Sequence, residues 1–345
     1  MSDSSAAESF LTYRHYIRAF ARIAGCISSE QETKSAYGEL AHRIARLTSM
    51  TRLGVVCDHA TVKRSLMNAW GTELLMAVGS RYSEDDELMR LTNNWAAVQL
   101  YYVCYHATQA LTVVRGRQRP ESHQTTRRLF LDMWVGRPLD CMPWSLGYQT
   151  GPRNVPAGHE VNAQITTVAR PRSGADCVDY LFKALYTTRR EDLPGALKAA
   201  REAKRKERRK EWEEAEMARL RARRRARKVP RFPTPTLTPE ESTMVRERHR
   251  CYTVMDLLWR LRIKTHYKDG LMMLEGPADD RVSGQFNRDM RHVAGSTLLL
   301  YEMHLCRQLG SDAFRGLAEE WLERNQASVS LGVGERLPIV LASSP

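Results

Sequence analysis

Two blocks of cations and a scatter of histidines and cysteines are the side chains of this 345-residue chain that could do chemistry. Lys204, Arg205, Lys206, Arg208, Arg209 and Lys210 form the first block. Arg221, Arg223, Arg224, Arg225, Arg227 and Lys228 form the second. Cations this dense suit phosphates, because neutralising a phosphate chain releases its counterions and gives an affinity that falls steeply with salt. Residues 198–228 hold 15 Lys and Arg against 6 Glu, so this one segment carries most of the net charge of +13. Part of the first block reads equally as a solvated helix with pairs such as Glu202 and Lys206, whereas the second has no acidic partner within reach.

The 10 histidines and 7 cysteines could ligate a metal or move protons. Cys26, Cys57, Cys104, Cys141, Cys177, Cys251 and Cys306 are widely spaced with no Cys-x-x-Cys pair, which reads as free thiols in a reducing compartment. His42, His59 and His106 lie in helical patterns, where a half-buried, hydrogen-bonded imidazole is the plain reading. No His-x-x-x-His falls among them, and the lone Glu-x-x-His, Glu39 with His42, falls short of the three ligands a site needs, so no metal and no cofactor is expected. A Gly-rich phosphate loop, a nucleophile elbow and a Ser-His-Asp order are all missing, which argues against phosphotransferases and hydrolases of those types. Charges at Asp3, Glu8, Arg14, Arg18 and Arg22 break any apolar leader, and no window approaches about 18 apolar residues. The expectation is a cytoplasmic protein with no membrane partner.

The elements that must position these groups read as helices. The stretch 93–130 organises them: Trp95, Val98, Tyr101, Tyr102, Tyr105, Ala110 and Leu111 recur at spacings of three and four, on one face of a helix that stops near Gly116. A second helix starts after Pro120 with Ser122 as its cap, and carries Leu129 and Phe130 inward. Upstream, helices are expected over 8–24, 30–47 and 61–78, the third burying Leu66, Trp70, Leu74, Leu75 and Val78. Residues 135–174 turn to Gly, Pro, Asn and Trp, with a strand hinted at over 160–169. Trp134, Trp144 and Tyr148 point to an excursion that docks, because such rings are costly to leave in water, the alternative being a flexible lid that orders on a partner.

A helix over 175–187 follows, and Pro194 opens a separate helix of about 33 residues that ends before Pro230 and has almost no apolar stripe. After a Pro-punctuated linker, Thr238, Pro239 and Glu241 mark a helix start. That helix is expected to run to His266 and to bury Met244, Tyr252, Val254, Leu257, Leu258 and Leu261. A helix over 281–309 with Met290, Val293, Leu298, Tyr301 and Leu305 inward and a short one over 312–325 complete the pattern; the tail is left unassigned.

The run Tyr101-Tyr102-x-x-Tyr105-His106-Ala107-x-x-Ala110-Leu111, followed by Arg115-Gly116, Pro120, His123 and Phe130, resembles the first helical hairpin of the HEPN domains. Downstream, Arg262 and Tyr267 sit as in that family's Arg-x-x-Ala-Asp-Tyr run, with Thr265 and His266 in place of Ala and Asp. The resemblance covers Tyr101 to Phe130 and Arg260 to Asp269, and it implies a small helical bundle split by an insertion. The family includes ribonuclease toxins, partners of nucleotidyltransferases and silent binding modules, so the resemblance does not fix activity. Its ribonucleases carry an Arg, four to six residues and then a His, usually with two subunits facing each other. Arg260 and His266 fit that spacing, as do Arg52 with His59, Arg117 with His123 and Arg153 with His159; place in the second fragment singles out Arg260 and His266. In such a pair the imidazole would move the proton and the guanidinium would match the phosphorane charge.

The resulting expectation is a mainly α protein, a HEPN-like helical bundle with an N-terminal helical layer, an irregular Gly/Pro-rich insertion and a long basic helix. Its segments are 1–80 (N-terminal layer), 84–134 (first half of the bundle), 135–242 (insertion and linker), 243–326 (second half) and 327–345 (tail). The expected function is RNA binding or RNA cleavage in a bacterial defence or toxin setting. If catalytic, it is a metal-independent endoribonuclease acting through Arg260 and His266; nucleic acid, RNA above all, and a second copy of the chain are the expected partners. The alternative is a non-catalytic scaffold whose basic helix holds nucleic acid or an acidic protein.

Overall fold

The computed structural model describes residues 3–25, 31–46, 57–79, 86–135, 141–149, 174–222, 236–326 and 332–343. These residues are mainly helical: α1 (Asp3–Ile23), α2 (Gln31–Ala45), α3 (His59–Gly79), α4 (Asp86–Val114), α5 (His123–Trp134), α6 (Gly174–Ala222), α7 (Pro239–Arg248), α8 (Val254–Ile263), α9 (Met272–Glu275), α10 (Asp280–Leu309), α11 (Ser311–Arg324) and α12 (Val333–Ser343). Two short strands, β1 (Gly147–Tyr148) and β2 (Tyr252–Thr253), pair antiparallel, Gly147 opposite Thr253 and Tyr148 opposite Tyr252.

The centre is α4 laid against both α3 and α10, which also touch each other. Ala96, Ala97, Leu100, Tyr101, Ala107, Ala110 and Leu111 of α4 are all fully buried. In α10 nearly every side chain from His292 to Cys306 is buried, the signature of a helix enclosed on all sides. Thus 93–130 packs on α8 and α10 although the long insertion separates them in sequence. One continuous cluster of buried side chains runs from Phe10 in α1 to Val340 in α12.

Several expectations meet the structure directly. Gly116 ends α4 at φ +74°, with its N–H on the Val113 carbonyl and that of Arg117 on the Thr112 carbonyl, a Schellman closure that a Cβ would strain. Ser122 caps α5, its side chain accepting from the Thr125 N–H at 3.1 Å. Thr238 and Glu241 form a capping box at the start of α7, with Pro239 in the first turn. Trp134 and Trp144 are fully buried, donating to the Tyr301 hydroxyl (2.9 Å) and the Thr297 hydroxyl (3.1 Å). The docked excursion therefore holds for the described part of 135–174, and the expected strand over 160–169 lies outside the described residues.

Other expectations are corrected. The helix begun at Pro239 stops at Arg248, because β2 pairs with β1 and Thr253 opens α8 with its N–H on Asp256 Oδ2 at 2.9 Å. Met244 is consequently exposed. The two helices expected around Pro194 are one, α6, which runs straight through that proline. The missing N–H removes one backbone bond, and beyond this point the helix leaves the core, where the freed carbonyl can meet water. Leu75 is 62% exposed because α3 turns Glu73 inward instead. The tail, left unassigned from the sequence, carries α12, and its Arg336 is fully buried. Arg336 bonds both carboxylate oxygens of Glu73 and both of Glu302, and Trp70 Nε1 donates to Glu302 at 2.8 Å.

Candidate nucleic-acid interface

Along the middle of α4, across the start of α5 and along α8, eight side chains meet. Tyr101, Tyr102, Tyr105 and His106 project from α4, His123 and Arg127 from α5, and Trp259 and Arg262 from α8. The Schellman turn and the Ser122 cap fold the chain back so that His123, the first residue of α5, returns against α4. Gln109 braces that turn: its amide donates to the Pro120 carbonyl at 2.8 Å, and its oxygen accepts from Arg119 and from His106 Nδ1, both at 3.2 Å. Asp256 braces the other side, accepting from Arg127 at 3.2 Å and Arg250 at 2.6 Å from a fully buried position.

Within the cluster His123 lies 4.8 Å from the Tyr105 ring and 4.8 Å from the Trp259 ring, with its Nδ1 3.0 Å from the Tyr101 hydroxyl. The Arg262 guanidinium sits 4.6 Å from the centroid of Trp259, 5.3 Å from Tyr102 and 5.7 Å from Tyr101. Arg127 lies 5.0 Å from Trp259. Burial, then the positive charges of Arg262 and Arg127, hold the His123 imidazole below the ordinary histidine range, so it is neutral at pH 7. Burial does the same to His106 and pushes the Tyr101 phenol well up. Tyr102, His106, His123, Trp259 and Arg262 remain half-exposed, so polarizable rings and a guanidinium line an accessible surface.

Arg260 and His266 have different neighbours. Arg260 is ion-paired with Glu191 and Asp192 of α6 and hydrogen-bonded to Tyr13 of α1, whose phenol burial pushes up to about 12. His266 lies in a widened turn, Lys264–Lys268, where the Asp269 N–H reaches back to the Lys264 carbonyl at 2.7 Å. There it packs edge to face on Trp95, ring centroids 4.6 Å apart. Arg262, four residues before His266, is the cation turned to the histidine-bearing cluster.

Of the first basic block, Lys204 is anchored to Glu241 and the Thr236 carbonyl, tying α6 to the start of α7. Arg205 and Arg209 pair along the helix with Glu202 and Glu213. Lys206, Arg208 and Lys210 are exposed. Of the second block, Arg221 lies on α6, and Arg223, Arg224, Arg225, Arg227 and Lys228 lie outside the described residues.

Among the described residues no group of three His, Cys, Asp or Glu could hold a metal, and no helix is long and apolar enough to cross a membrane. Comparison with known proteins finds no matching family model, no matching curated protein and no matching solved structure. Sequence reasoning missed Trp259 and Arg127 as members of the cluster. Arg127 sits one helical turn after His123 and Trp259 three residues before Arg262, a signal available only once those two residues are placed together.

Proposed function

We propose that this protein is a HEPN-like, cytoplasmic RNA-binding protein that holds RNA on the His123–Arg262 cluster and on the exposed cations of α6. One observation carries the reading: Tyr101, Tyr102, Tyr105, His106 and His123 from the first fragment meet Arg262 from the second in one cluster, of which Tyr102, His106, His123 and Arg262 are half-exposed. Aromatic faces interleaved with cations suit nucleobases and phosphates together. The net charge of +13 adds long-range attraction for a polyanion. Arg260 has no part in this reading, since Glu191 and Asp192 already neutralise it.

The test is equilibrium binding of a fluorescein-labelled single-stranded RNA to the parent and to Arg262→Gln, with circular dichroism to confirm folding. The reading expects a loss of about tenfold or more, because a charge-assisted phosphate contact and its cation–aromatic support go together. Equal affinity of parent and variant contradicts it.

A further inference from the structure

The surface next to the cluster carries the two most exposed aromatic rings among the large hydrophobic side chains described: Trp95 is 57% exposed and Tyr267 68% exposed. Both are out of place energetically. The sequence periodicity sets Trp95 on the inward stripe of α4, yet the helix buries Ala96, Ala97, Val98 and Leu100 and leaves the indole outside. A ring of this size left in water costs hydrophobic free energy that a monomer has no reason to forgo.

The two rings are bridged. His266 stands 4.6 Å from Trp95 and 5.7 Å from Tyr267, nearly perpendicular to each, so it steadies both without covering them. The widened turn at Lys264–Lys268 puts His266 and Tyr267 in this position, and such turns recur at functional sites. The arrangement repeats along the same pair of helices. Trp95 faces His266; two turns further along α4, about 10 Å away, Tyr102 faces Arg262. The rungs therefore form a half-exposed ladder that runs from Tyr267 and Trp95 to Tyr102 and Arg262 and on to His123.

We propose that Trp95 and Tyr267 are a stacking platform for unpaired nucleobases, continuous with the His123–Arg262 cluster. This rests on the nucleic-acid reading above and narrows it to a strand whose bases are free to leave the helix stack. Charge favours this occupant over a second copy of the chain: a cation stands directly beside the aromatic rungs, and two molecules of +13 repel each other while a polyanion is attracted. Stacking needs an open π-face and no particular base, so the platform is tolerant of sequence. In a duplex the bases already stack on one another and present no free face to an indole.

The experiment compares a labelled 12-nucleotide oligouridine with a 12-base-pair RNA duplex on the parent, Trp95→Ala, Tyr267→Ala and the double variant, each also examined by sedimentation. Both side chains are exposed, so the variants keep the fold. Expected is a loss of about tenfold for oligouridine in each single variant and more in the double, with duplex affinity and sedimentation unchanged. Undiminished oligouridine binding by the double variant overturns the platform while leaving the RNA reading in place. So does a parent that sediments as a dimer dissociated by Trp95→Ala, which would make the patch a self-interface. A parent that binds neither probe overturns both readings.

Discussion

The Tyr101 hydroxyl lies 3.0 Å from Nδ1 of His123, joining the buried middle of α4 to the first residue of α5. Tyr101 itself is fully buried, so the bond fixes the imidazole from below while Arg262 stands over the same tyrosine ring. An immobilised neutral histidine beside a guanidinium is thus built into the bundle and does not depend on a mobile loop.

The electrostatics of that pair can be read by NMR titration. His123 is expected to titrate below 6.5, and Arg262→Gln should move it upward by removing the second-largest cause of its depression. A titration at or above 6.5 in the parent would remove the basis for calling the imidazole neutral at pH 7.

His292 supplies a stability prediction with a definite sign. It is buried against Tyr37, stacked at 5.8 Å, and burial lowers its pKa to about 4. A base depressed in the folded state contributes stability above its unfolded value near 6.5, and that contribution is lost as pH falls toward the folded value. Between pH 7 and pH 5 the loss is about 2 kcal/mol, measurable by urea unfolding. In His292→Gln this part of the acid sensitivity should vanish; an unchanged pH slope would count against the assignment.

Arg336 is fully buried between two carboxylates. Arg336→Leu would leave Glu73 and Glu302 facing each other in the core without their shared cation, and should cost about 3–5 kcal/mol. Urea unfolding at pH 7 showing a loss under about 1 kcal/mol would mean that the two carboxylates are relieved in some other way.

The outer half of α6 is expected to be separable from the fold. From 195 to 219 its side chains are exposed or half-exposed, and Lys204 ties it to α7. Replacing 198–228 by a short flexible linker should leave the unfolding free energy within about 0.5 kcal/mol and weaken RNA binding. Loss of cooperative unfolding in the shortened protein would show that the arm belongs to the core.

Periodicity and caps made much of this legible in advance. Gly116, Ser122 and Thr238 are local chemistry, and the inward faces of α4 and α10 follow from spacing alone. What stayed hidden depended on distant partners. Leu75 lost its inward place to Glu73 because Arg336 waits across the core, and nothing near residue 73 announces that. Trp95 kept its helical spacing but faces outward, because periodicity defines a stripe and leaves its edges to tertiary packing. The site was half legible: the residues of its two fragments could be quoted, but only the packing of α4 on α8 chose Arg262 over Arg260.

The most direct test of the RNA reading is the salt dependence of oligouridine binding by fluorescence anisotropy. The account predicts measurable affinity at 50 mM salt, falling linearly on a log–log plot by about tenfold or more by 200 mM, with a shallower slope after Lys206, Arg208 and Lys210 are changed to Gln. No binding at 50 mM, or an affinity indifferent to salt, would contradict it.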